Sequence, residues 1–175
     1  MNLPDAIETE RLTLRRPRLS DAGPIALYVG DRRVAEMLAA VPHPYPPGAA
    51  EAFIERALRD RASEHVWAMD AGKIEGPEFI GVISVISRKG MKELGFWVGP
   101  PFWNTGYASE AALAVVEAAR ASGVSRLDAG VGEGNEASVH VLTNAGFRET
   151  GRGEIFSVAR NQMRPRRLFT LEFGS

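Results

Sequence analysis

The sequence predicts an α/β fold of the α+β kind, a mixed and mostly antiparallel sheet of six to seven strands with helices on both faces. Three observations predict it. Runs of alternating apolar and polar residues, the mark of a half-buried strand, gather in a block of three and again in a closing pair. Between those blocks lies one strand–turn–helix–strand unit, whose handedness rule makes its two strands parallel. Helices with apolar residues at three- and four-residue spacing fall both before and within this series.

Taken in order, Leu12 to Arg16 alternates and stops at Pro17, which makes a first strand. Asp21 is placed as the N-cap of a helix over 22–29 that Gly30 ends, and Asp31 as the cap of a second piece over 32–38. Residues 41–48, with four prolines and one glycine, form a loop. Ala50, Phe53, Ile54, Ala57 and Leu58 mark an amphipathic helix over 49–61. Short strands follow over 66–69 and 79–86, with a turn at 72–76, and a third runs from Glu93 to Val98. Pro100 and Pro101 end that strand, and Ala108, Ala111, Ala112, Val115 and Ala119 then recur at helical spacing. A strand over 127–131 is its parallel partner. Asn135 caps a helix ended by Gly146, and strands over 148–158 and 165–173 close the chain.

At 175 residues, 45% hydrophobic and 25% charged, this reads as one domain over 1–175 that buries about 70% of its unfolded surface. A formal net charge of −1 offers no field for nucleic acid or an anionic membrane surface. No apolar run approaches a membrane span and the N-terminus has no apolar leader, so a cytoplasmic location is expected. With no cysteine there is neither disulfide nor thiol nucleophile. His43, His65 and His140 lie far apart, which points to no metal site.

The most informative stretch is 93–119. In Trp103-Asn104-Thr105-Gly106-Tyr107-Ala108-Ser109-Glu110-Ala111 small residues lead directly into a helix. The first amides of a helix lack partners within it and sit at its positive end, so this turn suits an anion such as a pyrophosphate.

That stretch resembles the acyl-coenzyme-A-binding turn of the GNAT superfamily of N-acetyltransferases, in its RimJ/RimL-like branch, where Trp-Gly-Lys-Gly-Tyr-Ala-Thr-Glu-Ala is usual. Asn104 and Thr105 depart from that pattern and remove a basic residue. A second motif, Asn135-Glu136-Ala137-Ser138 through Val141-Leu142 to Gly146-Phe147, is similar to Asn-x-x-Ser-x-x-Val-Leu-x-x-x-Gly-Phe of the same branch. The opening Thr9-Glu10-Arg11-Leu12-Thr13-Leu14-Arg15 matches its common start. The resemblance covers nearly the whole chain. It implies a GNAT-like sheet with its parallel pair splayed at the cofactor site, acetyl-CoA as donor and an amine as acceptor, either a protein N-terminus or a small molecule. Homodimers are frequent in the family.

On that resemblance Trp97, Val98 and Gly99 would accompany the pantetheine arm, the amide at Val98 would hold the oxyanion, and Asn104, Thr105, Gly106, Tyr107, Ala108 and Ser109 would hold the pyrophosphate. Asn135 and Ser138 share one helix face, where Asn135 is a cap and also a contact to the pantetheine or the acceptor, and Ser138 is either a small helix-start residue or the proton donor to the departing thiolate. Leu142 stands where many superfamily members carry a tyrosine acid. Glu93 is the candidate base and acceptor contact, against a plain solvated carboxylate. Tyr45, in a segment that lines the acceptor pocket in the family, is a candidate substrate contact. Arg160, Arg164, Arg166 and Arg167 read as a solvated hairpin, the alternative being contact with an acidic acceptor or nucleic acid. A catalytically silent acyl-CoA-binding module is the rival reading, motivated by Asn104, Thr105 and Leu142.

Overall fold

The computed structural model describes residues 2–174. Eight strands, rather than six to seven, form one sheet in the order β1-β2-β3-β4-β5-β6-β8-β7. The difference lies at the N-terminal edge. The single first strand expected there is a hairpin of two short strands, β1 (Ile7–Glu8) and β2 (Thr13–Arg15), with Thr9 N–H bonded to Leu12 C=O in the turn. Leu12 and Leu14 are fully buried, and they carried the alternation that was legible.

After this hairpin come helices α1 (Ala22–Val29), α2 (Arg32–Ala35) and α3 (Ala49–Arg59). Asp31 caps α2 by accepting from Arg33 N–H at 2.9 Å. Asp21 does not cap α1 with its side chain. Its carboxylate is buried and accepts from both terminal nitrogens of Arg15 at 2.9 Å, since a buried guanidinium needs a counter-charge more than a helix end needs a cap.

The antiparallel block is β3 (Glu64–Asp70), β4 (Gly81–Arg88) and β5 (Met91–Val98). Helix α4 (Tyr107–Ala121) crosses over to β6 (Arg126–Gly132), which lies parallel to β5 as expected. Helix α5 (Glu136–Asn144) leads to β7 (Arg148–Ser157) and β8 (Gln162–Glu172). Strand β8 begins at Gln162, three residues before its expected start, and so runs through Pro165. Strand β6 ends opposite Arg166, so no ladder bond to β6 is lost at the proline.

Alternation assigns the faces. Leu94 and Val98 of β5 join Leu127, Ala129 and Val131 of β6 in the core beneath α4 and α5, where Ala111, Ala112, Val115 and Ala119 present the small face of α4. Glu93, Gly95 and Trp97 therefore face the other side. There Trp97 packs on a second cluster built from α1, α3 and β4, including Ile25, Ile54 and Val82.

Candidate active site

The site is built around a fork in the sheet. Strands β5 and β6 are in register at one pair only, Glu93 with Asp128, and beyond it they diverge towards their C-terminal ends. The opposite edge of β5 stays paired with β4 along its whole length, so the divergence opens one edge of β5.

Which backbone groups face that opening follows from the ladder. Gly99 N–H donates to Ile80 C=O at 2.8 Å, and a Cβ on Gly81 would meet the Trp97 carbonyl oxygen, so residues 97 and 99 point their backbone at β4. Successive residues alternate, which turns the N–H of Val98, and of Phe96 before it, towards the fork. Of the three residues expected to line the donor, Val98 alone presents its backbone there. Its C=O is held by Trp103 Nε1 at 2.7 Å, which leaves the N–H side of the strand end free to meet a ligand.

Trp103 closes a compact bend. Pro100–Phe102 form a 3-10 turn, Thr105 Oγ donates to Phe102 C=O at 2.6 Å, and the guanidinium of Arg33 lies over the Trp103 ring at 5.1 Å. Asn104 and Gly106 both take left-handed backbone, with φ of 60° and 82°. Asparagine tolerates that region, which accounts for its place in the turn. Glu110 N–H, bonded to Gly106 C=O at 3.0 Å, is the first amide of α4 with an intrahelical partner. The N–H groups of Tyr107, Ala108 and Ser109 stand ahead of it, and the capping residue, Gly106, has no side chain to occupy them.

Arg11 is a member of this site that the sequence reading did not single out. Its Nη1 donates to Thr105 C=O at 2.9 Å, its guanidinium lies 4.5 Å above the Tyr107 ring, and Nη2 sits 3.3 Å from the point where a Cβ on Gly106 would stand. Its Nε and its backbone N–H both reach Glu110 at 2.7 Å. The basic residue missing at Thr105 in sequence is thus replaced in space by one from the β1–β2 turn. The only signal was the opening motif itself, 94 residues away from Thr105.

On the other arm of the fork, β6 leads into α5. Asn135 caps that helix, its side chain accepting from Ser138 N–H at 3.2 Å, and both residues are half-buried. Leu142, one turn further, is fully buried in the core and presents nothing to the fork.

Glu93 lies where the fork begins, on the α1 and α3 face, with Arg166 Nη1 at 3.5 Å. Its side chain is about half exposed, and that long contact with Arg166 is its one charged partner among the described residues. Two more members of the arginine cluster are engaged internally. Arg160 pairs with Glu36 at 2.6 Å, and Arg167 with Glu149 at 2.7 Å and Glu136 at 3.3 Å. Tyr45 is not gathered with these residues. It packs on the α1–α3 cluster and lines a separate depression of about 400 Å³ with His43, Pro44 and Glu51. Burial pushes its phenol above the usual range. The aromatic that does meet the strand end is Tyr28 of α1. Its ring lies 2.8 Å from where a Gly99 Cβ would stand and meets Phe102 edge-on at 5.7 Å.

A mixed sheet forked at its one parallel pair, with a helix N-terminus beside the open edge, is the architecture of an acyl-transfer domain. The chain belongs to the GNAT acetyltransferase family: the model of the acetyltransferase (GNAT) domain matches residues 11–148. It is thereby an N-acetyltransferase. A curated relative, the "Uncharacterized N-acetyltransferase p20" of Bacillus licheniformis, is 25% identical over 152 residues, covering 84% of each chain. A GNAT-family acetyltransferase from Bacillus anthracis superposes with a TM-score of 0.82 at 20% identity, over 95% of this chain and 98% of that one. Mycobacterium smegmatis RimJ in complex with CoA-disulfide gives 0.79 at 19% identity, over 97% and 88%. The Microcin C7 self-immunity acetyltransferase MccE, in complex with acetyl-CoA and AMP, gives 0.79 at 18% identity, over 94% and 93%. At these identities the structural likeness is one of fold. Among the described residues no helix is long and apolar enough to cross a membrane, and no group of acidic and histidine residues is arranged to hold a metal.

Proposed function

We propose that this protein moves the acetyl group of acetyl-CoA to a primary amine by direct attack in a ternary complex, in the manner of the RimJ/RimL-like branch. The observation that carries this reading is the fork between β5 and β6, whose open edge runs from Glu93 past Val98 to the unpaired N-terminus of α4. The acetyl-CoA and CoA-disulfide complexes of two relatives in fold support the choice of donor.

Each residue then has a task. The N–H groups of Tyr107, Ala108 and Ser109, reached over Gly106, bind the pyrophosphate, and Arg11 supplies the positive charge that Asn104 and Thr105 do not. The edge of β5 pairs with the pantetheine arm as a strand would. The amide of Val98 stabilises the oxyanion. Attack forms the N–C bond and breaks the C–S bond. The thiolate leaves with the electron pair and takes a proton from Ser138 or water, since Leu142 has none to give. Glu93 is five residues from Val98, about 16 Å of strand rise, beyond contact or a single bridging water, so as a base it takes the amine's proton only along a chain of waters.

Calorimetric titration with acetyl-CoA tests the reading, with wild type beside Gly106→Glu. A glutamate there combines a strained backbone with a negative charge at the anion site. Wild type is expected to bind at micromolar level and the variant at least tenfold more weakly, with its circular dichroism unchanged. Wild type that does not bind the donor would sink the proposal.

A further inference from the structure

Arg166 lies in an unusual position. It is on β8, opposite Gly132 of β6, and its side chain runs flat over Gly130 to Glu93 on β5. It thereby bridges three strands at the point where the fork opens, on the face covered elsewhere by α1 and α3. Only a glycine at position 130 allows this, because a Cβ there would stand 2.7 Å from Nη1 and 3.3 Å from Cδ.

The guanidinium is also poorly satisfied for a half-buried group. Its contact with Glu93 is long, at 3.5 Å, and Nε is buried without a hydrogen-bond partner among the described residues. Arg15, the other arginine laid against the sheet, has two aspartates and two carbonyls within 3.1 Å. An arginine with so few partners beside a reactive cleft is arranged to receive one.

Apart from Arg166 itself, which covers Gly130, and Trp97 near the strand end, the surrounding floor is bare: on this face, beyond the Glu93–Asp128 pair, the two arms of the fork carry Gly95, Gly130 and Gly132. A Cβ at Gly95 would meet nothing nearer than Ser84 Oγ at 3.7 Å, and one at Gly132 would meet nothing within 4 Å. A small molecule settling on these glycines would have one carboxylate and one guanidinium beside it, a few ångströms apart.

We infer that the acceptor is an amine carrying a carboxylate within a few bonds of its nitrogen, of the α-amino-acid class. Its carboxylate lies on Arg166, and its amine points along the fork towards the carbonyl held at Val98. The inference rests on the acetyltransferase reading and narrows its acceptor. A lone amine would leave Arg166 unanswered, and a peptide N-terminus would offer it a carbonyl in place of an anion. The chemistry is unchanged: the free amine gains the acetyl group and coenzyme A leaves as its thiol.

The test compares L-amino acids with their own primary amides, reading thiol release with saturating acetyl-CoA. The amide removes only the carboxylate and makes the amine less basic, so intrinsic reactivity favours the amide. At least one free amino acid is expected to exceed its amide by about tenfold or more in kcat/KM, the measure of one charge-assisted hydrogen bond. In Arg166→Gln that ratio falls to about one, and in Gly130→Ala, which displaces the guanidinium without altering charge, it falls in the same direction. Arg166→Lys restores part of it. Acetyl-CoA titrations of the same variants, expected to match wild type, verify folding. Amides used as well as or better than acids, no turnover of any amino acid, or a preference retained in Arg166→Gln would each overturn the inference. Failure of wild type to bind acetyl-CoA is a different result and removes the acetyltransferase reading itself.

Discussion

Glu110, one turn into α4, is the anchor of Arg11. Its two carboxylate oxygens accept from Arg11 Nε and from the Arg11 backbone N–H, each at 2.7 Å, while Thr9 Oγ adds a third bond at 2.6 Å. The β1–β2 turn is thereby tied to the first turn of α4, whose leading amides have no intrahelical partner. A glutamate at a helix start is explained in isolation by the dipole. Here it also fixes the position of the guanidinium at the turn.

Burial alone would raise the carboxyl of Glu110, but the bonds from Thr9 and Arg11 outweigh it and hold the group below the usual glutamate range. A depressed carboxyl stabilises the fold above its ordinary value of 4.5 and loses that contribution as pH falls through the lowered one. Glu110→Gln should therefore cost about 1.5–3 kcal/mol at pH 7. The gap to wild type should close in acid, as followed by urea unfolding at a series of pH values. A gap that persists undiminished at pH 3 would refute this.

Gly99 is closed in by the Tyr28 ring, whose Cγ and Cδ atoms lie 2.8 to 3.1 Å from the place of a Cβ. Gly99→Ala should cost about 1–3 kcal/mol by overpacking, because an aromatic ring stacked near Phe79 and Phe102 cannot step aside. Adding Tyr28→Leu should recover part of that loss. Additive effects in the double-mutant cycle would mean the two residues do not meet.

His65 is buried, and its Nε2 lies 3.0 Å from the Pro4 carbonyl, which fixes that nitrogen as the donor. Burial lowers its basicity below the ordinary value of 6.5, despite the opposing pull of the carbonyl. The folded state then binds the proton less readily than the unfolded chain, so stability should fall as pH drops below about 6.5. His65→Gln should flatten the melting temperature between pH 6.5 and 5.5. An equal slope in both proteins would show that His65 contributes nothing there.

Arg15 holds Asp21 and Asp70, with Nε at 2.7 Å from Asp70, and all three side chains are at most 13% exposed. Arg15→Met should leave two buried carboxylates unpaired and cost about 3–5 kcal/mol in chemical denaturation. Combining it with Asp21→Asn should recover part of the loss. A single variant within 1 kcal/mol of wild type would show the network to be dispensable.

The sequence by itself determined the kind of fold. Periodicity placed the strands of the central block and the helices around them. The prolines after Val98 and the small residues before Ala111 placed the turn into α4, because these are local effects of backbone geometry. It also determined the caps at Asp31 and Asn135, since a cap bonds within three residues of itself. It could not place Arg11 or Tyr28 beside the fork, nor single out Arg166 from the rest of the arginine cluster. Arg11 meets Thr105 across 94 residues and Arg166 meets Glu93 across 73. Nothing local to an arginine or a tyrosine distinguishes one that crosses a sheet from one that faces water. The backbone choice among Trp97, Val98 and Gly99 was equally out of reach, because it depends on the register of β5 against β4. Only the tertiary structure decided these, through strand order and register. Pairing β6 with β8 laid Arg166 over a glycine at the mouth of the fork, and pairing β1 with β2 brought Arg11 to the turn.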